Sequence, residues 1–350
     1  MFPSAFADRV IRSYSAEGDV VLDPFAGRGT SIFSAATQRR IAVGIEINPV
    51  GFLYARTKLH PADIEAVEQR VKAIGQAAKR KTVADAAREL PIFYRLCFSP
   101  EVRRFLVAAR QRLDWRRSNI DRTAMAIILV YLHGKDGAAL SNQMRQTKAM
   151  SPGYAINWWR ERNLSPPEID PVEFFKQRLI WRYAHGRPEC EASSSMYLGD
   201  CLQVLPRLAR KTIAGRLPKV TLLFTSPPYY GITNYHYDQW LRLWMLGGPP
   251  NAGRIGNGRR GKFEHKENYT ELLNQVFSHA KRIMRKDATA YIRTDARQFT
   301  RDATIRVLKK LFPTKSFSIR RRPIESKSQT HLFGEYGERV GEVDLVLEPK

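Results

Sequence analysis

Residues 19–30, DVVLDPFAGRGT, join an apolar strand to a glycine-bearing turn and the start of a helix. Gly27 and Gly29 allow a tight backbone on which a ligand can lie near the helix N-terminus. A helix over residues 31–38 and a second strand, Ile41–Glu46, complete a βαβ unit of the expected length. The chain is therefore predicted to begin with a parallel α/β sheet.

An acidic side chain closes each of these two strands. Asp23 ends the first strand and Glu46 ends the second. A carboxylate at the end of the second strand is well placed to accept hydrogen bonds from ribose hydroxyls. A three-glycine dinucleotide fingerprint needs a small residue where Ile32 stands, so a nicotinamide or flavin site is disfavoured. On these residues alone, a plain helix-packing turn is the alternative.

A second loop follows another apolar run, residues 220–224. It reads TSPPYY over residues 225–230. Two consecutive prolines cannot donate to a sheet ladder, so the strand has to stop here. The stiff loop presents a hydroxyl, an aromatic face and free carbonyls at the carboxyl edge of a sheet, where open α/β sheets bind ligands. It suits a flat, amine-bearing ring, and the alternative is a proline-rich turn after a core strand.

The composition indicates a polyanionic partner. The 350 residues include 58 Lys and Arg against 34 Asp and Glu, a formal net charge of +24. Nucleic acid is the leading candidate, with solubility as the simpler explanation. The three widely spaced cysteines, Cys97, Cys190 and Cys201, favour a reducing compartment and argue against disulfides or a metal site. No membrane helix or signal-peptide pattern is evident, so we expect a cytoplasmic protein without a membrane partner.

The alternation of strands and helices disappears between about residues 61 and 195. Helical patterns over 62–80 and 101–117 carry clusters of arginine and lysine. Residues 121–133 are predicted to form an apolar helix with Asp121 as its N-cap. We interpret 61–195 as a helical insertion rather than a second α/β domain. Its arginines favour contact with phosphate, because guanidinium groups bind phosphate through two parallel hydrogen bonds.

Amide, basic and aromatic side chains cluster late in this insertion, in what we expect to be partly loop. Asn and Gln can read base edges, and aromatic rings can stack on unpaired bases. The candidate nucleic-acid-binding residues here are Asn142, Gln143, Arg145, Lys148 and Tyr154. Trp158 and Trp159 could equally be core residues. A basic, glycine-rich loop further on adds Arg254, Arg259, Arg260 and Lys262.

The α/β pattern resumes with a short strand that leads to Asp200. This carboxylate could accept a hydrogen bond from an adenine amine, cap the following helix, or do both. An apolar helix over residues 239–246 and the later strands and helices are predicted to complete the sheet domain. The expected domains are therefore residues 1–60 plus 196–350, and the insertion 61–195.

Taken together, these features resemble an S-adenosylmethionine-dependent DNA methyltransferase of the amino-methylating kind. Four segments carry the resemblance: the cofactor motif DPFAGRGT (23–30), the catalytic motif TSPPY (225–229), the preceding segment LGDC (198–201), and Phe2-Pro3-Ser4, which is similar to the motif that packs over the cofactor methionine. The resemblance implies a Rossmann-like, doubly wound, mostly parallel α/β sheet with the insertion as the target-recognition region.

The resemblance also assigns roles to individual residues. The implied cofactor-binding residues for S-adenosylmethionine are Phe2, Pro3, Asp23, Pro24, Phe25, Gly27, Gly29, Thr30, Glu46 and Asp200. The implied catalytic residues are Ser226, Pro227, Pro228 and Tyr229. In the family, Ser at the first motif position is associated with cytosine N4 and Asp or Asn with adenine N6. Carbon-5 methylation is disfavoured, because none of the three cysteines follows a proline.

The predicted substrate is a flipped-out cytosine in double-stranded DNA, in a bacterial or archaeal cell where the protein would be associated with the nucleoid. An adenine-N6 or RNA amino-methyltransferase with the same site is the first alternative. A basic DNA-binding subunit with a vestigial cofactor pocket is the second, and an oxidoreductase is the third. The recognised DNA sequence, a cognate restriction endonuclease as a further partner, and the oligomeric state are left open.

Overall fold

The computed structural model describes residues 2–146, 149–230, 238–252, 265–321 and 341–350. Within these ranges the chain divides into two units. The sheet unit comprises residues 2–59, 188–230, 265–321 and 341–350. The helical unit comprises residues 60–146, 149–187 and 238–252.

A seven-stranded sheet forms the centre of the sheet unit. Its strands are β1 (Val20–Asp23), β2 (Ile41–Glu46), β3 (Ser195–Leu198), β4 (Val220–Thr225), β5 (Met284–Asp295), β6 (Ser316–Arg321) and β7 (Glu342–Glu348). Their order across the sheet is β3-β2-β1-β4-β5-β7-β6, and β7 runs in the direction opposite to the other six strands. The order reverses direction between β1 and β4, the topological switch point at which open α/β sheets bind ligands.

Helices cover both faces of this sheet. They are α1 (Ser4–Tyr14), α2 (Thr30–Thr37), α3 (Pro49–Leu59), α11 (Cys201–Ile213), α13 (Lys266–Ile283) and α14 (Gln298–Leu311). The first three contribute to one buried apolar cluster, and the last three contribute to the other. The predicted fold class, a doubly wound and mostly parallel sheet with a helical insertion, is therefore confirmed.

The packing of α2 on β2 explains why Ile32 can stand where a dinucleotide fingerprint needs a small residue. Ile32 is fully buried against β2. Gly44 on β2 leaves room for the Ile32 side chain, because a Cβ on Gly44 would lie 2.8 Å from Ile32 Cγ1. The small residue at this contact is therefore on the strand instead of the helix.

The helical unit surrounds an aromatic core. Its helices are α4 (Ile64–Ala78), α5 (Lys81–Arg88), α6 (Ile92–Cys97), α7 (Pro100–Arg112), α8 (Asn119–Val130), α9 (Pro152–Glu161), α10 (Pro171–Tyr183) and α12 (Trp240–Met245). The ring centroids of Phe93 and Trp240 are 4.9 Å apart, and those of Tyr94 and Trp244 are 4.6 Å apart. Such pairs stabilise a core beyond their buried area.

Helix α12 lies in the helical unit, although the sequence pattern assigned it to the sheet domain. Arg242 on α12 is buried and donates to the backbone carbonyls of Leu129 and Gln146 at 2.9 and 2.8 Å. The indole of Trp240 donates to the carbonyl of Met150 at 3.1 Å. The boundary after α10 also falls at residue 188 rather than 196. The alternation of strands and helices along the sequence cannot show that a distant segment packs with the insertion.

One local prediction in the insertion is wrong, the N-cap of α8. Helix α8 begins at Asn119, and its N-cap is Ser118, whose hydroxyl accepts from the Asp121 N–H at 3.1 Å. Asp121 instead pairs with Arg70 at 2.7 Å. The segment that carries the amide and aromatic candidates is partly loop, as expected, and α9 begins at Pro152 with Trp159 buried. Across the described ranges, no helix is both long and apolar enough to span a membrane.

Candidate cofactor and amine-binding site

The loop between β1 and α2 has the backbone that a close-lying ligand needs. Gly27 and Gly29 both adopt positive φ angles, +55° and +72°. A Cβ at Gly29 would lie 2.5 Å from Ala55 Cβ on α3, so this glycine permits helix packing. At Gly27 a Cβ would meet nothing within 4 Å, so the loop faces open space there. This loop, called the cradle below, therefore has open space beside Gly27, and its predicted role in holding the cofactor stays a prediction.

Asp23 is buried within the protein, which corrects its predicted role as a cofactor-orienting carboxylate. It is 1% exposed and accepts hydrogen bonds from the Phe25 N–H at 3.0 Å, from Thr225 Oγ1 at 2.6 Å, and from Ser31 Oγ. Burial raises its pKa to about 6, against the lowering effect of these donors. Asp23 therefore ties the cofactor loop to the end of β4, where the TSPPYY loop begins.

Glu46 lies at the end of β2 and is only partly buried. Its Oε2 accepts from the Gly27 N–H and its Oε1 from the Asn48 N–H, both at 2.7 Å. Each oxygen keeps a lone pair for an incoming hydroxyl. Burial raises the pKa of this carboxyl to about 7, despite the two backbone donors, and the charge of Asp23 adds to the increase. Glu46 is thus positioned by the cradle it borders.

Two exposed apolar side chains, which the sequence analysis missed, stand beside Glu46. Ile47 is 42% exposed and Leu198 is 38% exposed. Leu198 pairs in register with Glu46 across β2 and β3, so both lie at the same sheet edge. The sequence did contain a signal for Ile47, because it is an apolar residue directly after Glu46, the carboxylate that ends β2. Asp200, two residues beyond Leu198, accepts from the Leu202 N–H at 3.0 Å and is the N-cap of α11, as predicted.

The other predicted cofactor residues differ in exposure. Pro24 is buried, whereas Phe25 and Thr30 are partly exposed at the loop and at the start of α2. Pro3 is exposed and precedes α1. The Phe2 ring, at 7% exposure, stacks on Phe224 with centroids 4.4 Å apart. The Phe2 ring therefore packs on β4 through Phe224, and the predicted cofactor contact of Phe2 stays a prediction.

The TSPPYY loop leaves β4 at the switch point. Thr225 is buried, Pro227 is buried, and Ser226 and Pro228 are partly exposed. The Tyr229 hydroxyl donates to Glu342 Oε1 at 3.0 Å. Burial and the adjacent carboxylate raise the pKa of Tyr229 well above its ordinary value, so the phenol stays protonated. Glu342 was missed because it follows a long stretch without a recognisable pattern.

The predicted DNA-binding residues of the insertion are not equivalent. Asn142 is 2% exposed and donates to the carbonyls of Leu96 and Leu164, both at 3.1 Å. Its amide oxygen accepts from the Gln143 N–H at 2.8 Å, so Asn142 is structural and a base-reading role for it is wrong.

Three candidates of the helical unit keep accessible side chains. Gln143 and Arg145 are exposed, and Tyr154 on α9 is 62% exposed. The Trp159 indole donates to the Gln143 carbonyl at 2.8 Å, which fixes this segment beside α9. The remaining candidates lie outside the described residues: Lys148, Arg254, Arg259, Arg260 and Lys262.

Comparison with known proteins gives a family match for the first part of the chain. The N6/N4 methyltransferase family model, described as DNA methylase, matches residues 1–55, which include the cradle and Glu46. The resemblance to amino-DNA methyltransferases is thus confirmed for this segment, and it implies S-adenosylmethionine as the methyl donor. The open space beside Gly27 and the neighbouring Glu46 carboxylate fit such a cofactor.

The similar proteins match only over short lengths. The type II methyltransferase M.ScaI of Streptomyces caespitosus is 52% identical over 46 residues, which are 13% of this chain and 15% of that protein. M.HpaI of Haemophilus parainfluenzae, also a type II methyltransferase, is 36% identical over 72 residues, 20% of this chain and 23% of that protein. The chain therefore spans less than a quarter of the curated relatives it matches.

Two solved structures are similar at low sequence identity. TrmN from Thermus thermophilus has a TM-score of 0.35 and 11% identity, covering 100% of this chain and 49% of that one. The rRNA methyltransferase AviRa from Streptomyces viridochromogenes has a TM-score of 0.35 and 10% identity, covering 99% and 85%. The fold assignment rests on the strand order and on the two helical layers.

Proposed function

We propose that this protein is a site-specific DNA methyltransferase that transfers a methyl group from S-adenosylmethionine to the exocyclic N4 amine of a flipped-out cytosine in double-stranded DNA. One observation carries the proposal. The hydrogen bond of 2.6 Å from Thr225 to Asp23 joins the methyl-donor cradle to the TSPPYY loop across neighbouring strands. A donor and an amine acceptor held at these two loops would meet at one point.

The groups around the cradle suit the parts of the cofactor. Glu46 has a free lone pair on each oxygen for the ribose hydroxyls, and the Gly27 backbone leaves room beside it. Ile47 and Leu198 supply apolar surface for the adenine ring, with Asp200 near its amine. When bound, the cofactor supplies a methyl sulfonium, a strong electrophile that needs no prior activation.

The TSPPYY loop suits an amine nucleophile. The lone pair of an exocyclic amine is delocalised into its ring, so the amine reacts poorly unless its N–H groups are held. Ser226 Oγ and the Pro227 carbonyl would accept these two N–H groups and direct the lone pair at the methyl group. The target atom is inaccessible in a duplex, so the base has to be flipped out. Tyr229 would stack on it, worth roughly 1–3 kcal/mol.

Charge and exposed side chains support a DNA substrate. The net charge of +24 favours phosphate contact, and the resemblance associates serine at position 226 with cytosine. Gln143, Arg145 and Tyr154 of the helical unit are our proposed contacts to the DNA target.

Nucleoside mass spectrometry tests the proposal. Plasmid DNA treated with the protein and S-adenosylmethionine is digested and searched for N4-methyldeoxycytidine and N6-methyldeoxyadenosine. We expect the cytosine product, and its loss in Ser226→Ala. Methylation confined to adenine would overturn the choice of base. No methylation, together with no calorimetric binding of the cofactor, would favour a DNA-binding subunit with a vestigial pocket.

A further inference from the structure

The two tyrosines that end the TSPPYY loop have different surroundings. The Tyr230 ring packs edge-on against Phe299 of α14 and Tyr269 of α13, with centroids 4.9 and 5.8 Å away. The Tyr229 ring is only partly buried, and its hydroxyl donates to Glu342 Oε1 at 3.0 Å. Tyr230 therefore anchors the loop by aromatic packing, whereas Tyr229 has a polar contact at its far end.

Arg297, directly before α14, holds the main chain at Tyr230. Its Nη2 donates to the Tyr230 carbonyl at 3.1 Å, and its Nε donates to Asp295 Oδ2 at 2.8 Å. The Arg297 backbone N–H also donates to Asp295 Oδ1 at 2.6 Å. Asp295 is 4% exposed, so a buried carboxylate orients the guanidinium. In this orientation Arg297 fixes the carbonyl one residue after Tyr229.

Glu342 is held in place by a second arginine. Its Oε2 lies 3.2 Å from Arg293 Nη1. Arg293 is 5% exposed, and its Nε and Nη2 donate to the two oxygens of Asp344 at 2.7 and 3.0 Å. The Phe6 ring centroid lies 3.6 Å from Arg293 Cζ. The carboxylate that accepts from Tyr229 is therefore paired with a cation that a buried two-point contact keeps in one geometry.

Both supports lie at the same point of the sheet. Glu342, the first residue of β7, pairs in register with Asp295, the last residue of β5. The Ala296 N–H donates to the Gly341 carbonyl at 2.8 Å, which continues the contact between the two chains beyond this pair. The phenol hydroxyl and the main chain after it are thus held from neighbouring residues at the end of two paired strands.

We propose that Arg297 and Glu342 are positioning residues that hold the Tyr229 ring at its two ends, the backbone and the hydroxyl. This inference rests on the proposed function, in which the Tyr229 ring stacks on the flipped base. Stacking depends on the plane of the ring, and a ring fixed only at its backbone can turn about its side-chain torsions. Holding both ends before DNA binds removes that freedom in advance. The phenol proton is committed to Glu342, so Tyr229 offers the base its ring face.

Single-turnover methyl transfer to plasmid DNA by full-length variants tests the two supports. Tyr229→Phe and Glu342→Ala each remove the hydroxyl contact, and Arg297→Ala removes the backbone contact. We expect each to slow methyl transfer by about tenfold, the scale of one hydrogen bond to a charged group. Tyr229→Phe combined with Glu342→Ala should be no slower than the slower single variant, because both remove one contact. The dissociation constant for S-adenosylmethionine should stay at the wild-type value, because neither support belongs to the cradle.

Two further measurements separate positioning from folding. Tyr229→Ala should slow methyl transfer by about ten- to a hundredfold, the scale of one stacked base. With the ring gone, adding Arg297→Ala or Glu342→Ala should cause no further loss, whereas a merely structural contribution would still lower the rate. Glu342→Gln keeps an amide that can pair with the phenol, so it should keep most of the wild-type rate.

Two matched controls lie on the same elements. Arg301→Ala changes a partly exposed arginine one helical turn after Arg297, and Glu348→Gln changes a partly exposed carboxylate at the far end of β7. Both should keep the wild-type rate. A wild-type rate in Tyr229→Phe or in Arg297→Ala would overturn the inference. Losses that multiply when Tyr229→Phe and Glu342→Ala are combined would overturn it as well.

Failure of the proposed function gives a different pattern. In that case the wild-type protein transfers no methyl group to any DNA amine, and the inference falls with the function. If the wild type and both controls are active and Tyr229→Ala is slow, but Arg297→Ala and Glu342→Ala keep the wild-type rate, then only the positioning roles fail.

Discussion

The raised pKa of Glu46 predicts that cofactor binding depends on pH near neutrality. Burial raises this pKa from 4.5 to about 7, although two backbone N–H groups donate to the carboxylate. Only the ionised carboxylate has acceptors for both ribose hydroxyls. Because the pKa is raised, the binding form is lost as the pH falls through about 7. The affinity for S-adenosylmethionine should therefore increase with pH across this range.

The size of the effect follows from the ionised fraction. With a pKa of about 7, roughly a tenth of Glu46 is ionised one pH unit below the pKa and roughly nine-tenths one unit above it. The apparent dissociation constant varies inversely with the competent fraction, so binding should weaken about tenfold from pH 8 to pH 6. At pH 7, binding should release about half a proton from Glu46.

Isothermal titration calorimetry measures both quantities. Titrations at several pH values give the affinity, and titrations in buffers of different ionisation enthalpy give the protons released. An α-amino group, which the cofactor also carries, titrates near 7.7–8.0. The relevant quantity is therefore the difference between wild type and Glu46→Gln, in which the contribution of the cofactor cancels. Glu17→Gln, at a side chain 66% exposed, is the matched control and should behave as wild type.

Two results would refute this reasoning. If wild type and Glu46→Gln weaken equally between pH 8 and pH 6, Glu46 does not titrate in that range. If Glu46→Gln binds as tightly as wild type at pH 8, the carboxylate does not hold the cofactor at all, and the cradle assignment is wrong.

Four further substitutions have expected outcomes. Thr225→Val removes one of the hydrogen bonds that the buried Asp23 accepts. It should lower the free energy of unfolding by about 1–3 kcal/mol, measured by urea denaturation. Gly29→Ala should cost at least about 1 kcal/mol in the same assay, because φ is positive and Ala55 lies in the way. Asn142→Ala should lower the free energy of unfolding by about 1–3 kcal/mol, because two buried carbonyls lose their hydrogen-bond donor. The DNA affinity of the folded fraction should be unchanged. Arg145→Ala should lower DNA affinity and reduce the slope of log affinity against log salt by about 1, measured by fluorescence anisotropy.

The sheet could be predicted from sequence because its signals are local. The bounds of β2 are those predicted, and the glycine turn, the strand-ending carboxylates and the double proline each depend on a few consecutive residues. The roles that failed depend on distant contacts. Asp23 looked like a ligand-binding carboxylate because its two hydroxyl donors, Ser31 and Thr225, lie 8 and 202 residues away in the chain.

The helical unit shows the same limit. Asn142 has the composition of a base-reading residue, but its amide is consumed by carbonyls 46 and 22 residues away. Arg242 donates to a carbonyl 113 residues earlier in the chain, and such a contact leaves no local sequence pattern. Polar residues within a few positions of each other therefore predict a site only when their other partners are known.

The two prolines of the TSPPYY loop explain why side chains on either side of them matter. Pro227 and Pro228 have no N–H, so the sheet ladder cannot fix the loop after Thr225. The hydroxyl of Thr225 donates to Asp23, and the hydroxyl of Tyr229 donates to Glu342, so each flank ends on a carboxylate. Ser226 and the Pro227 carbonyl lie between these two anchors. The motif thus needs hydroxyl side chains at both ends, because its centre has no donors for the sheet.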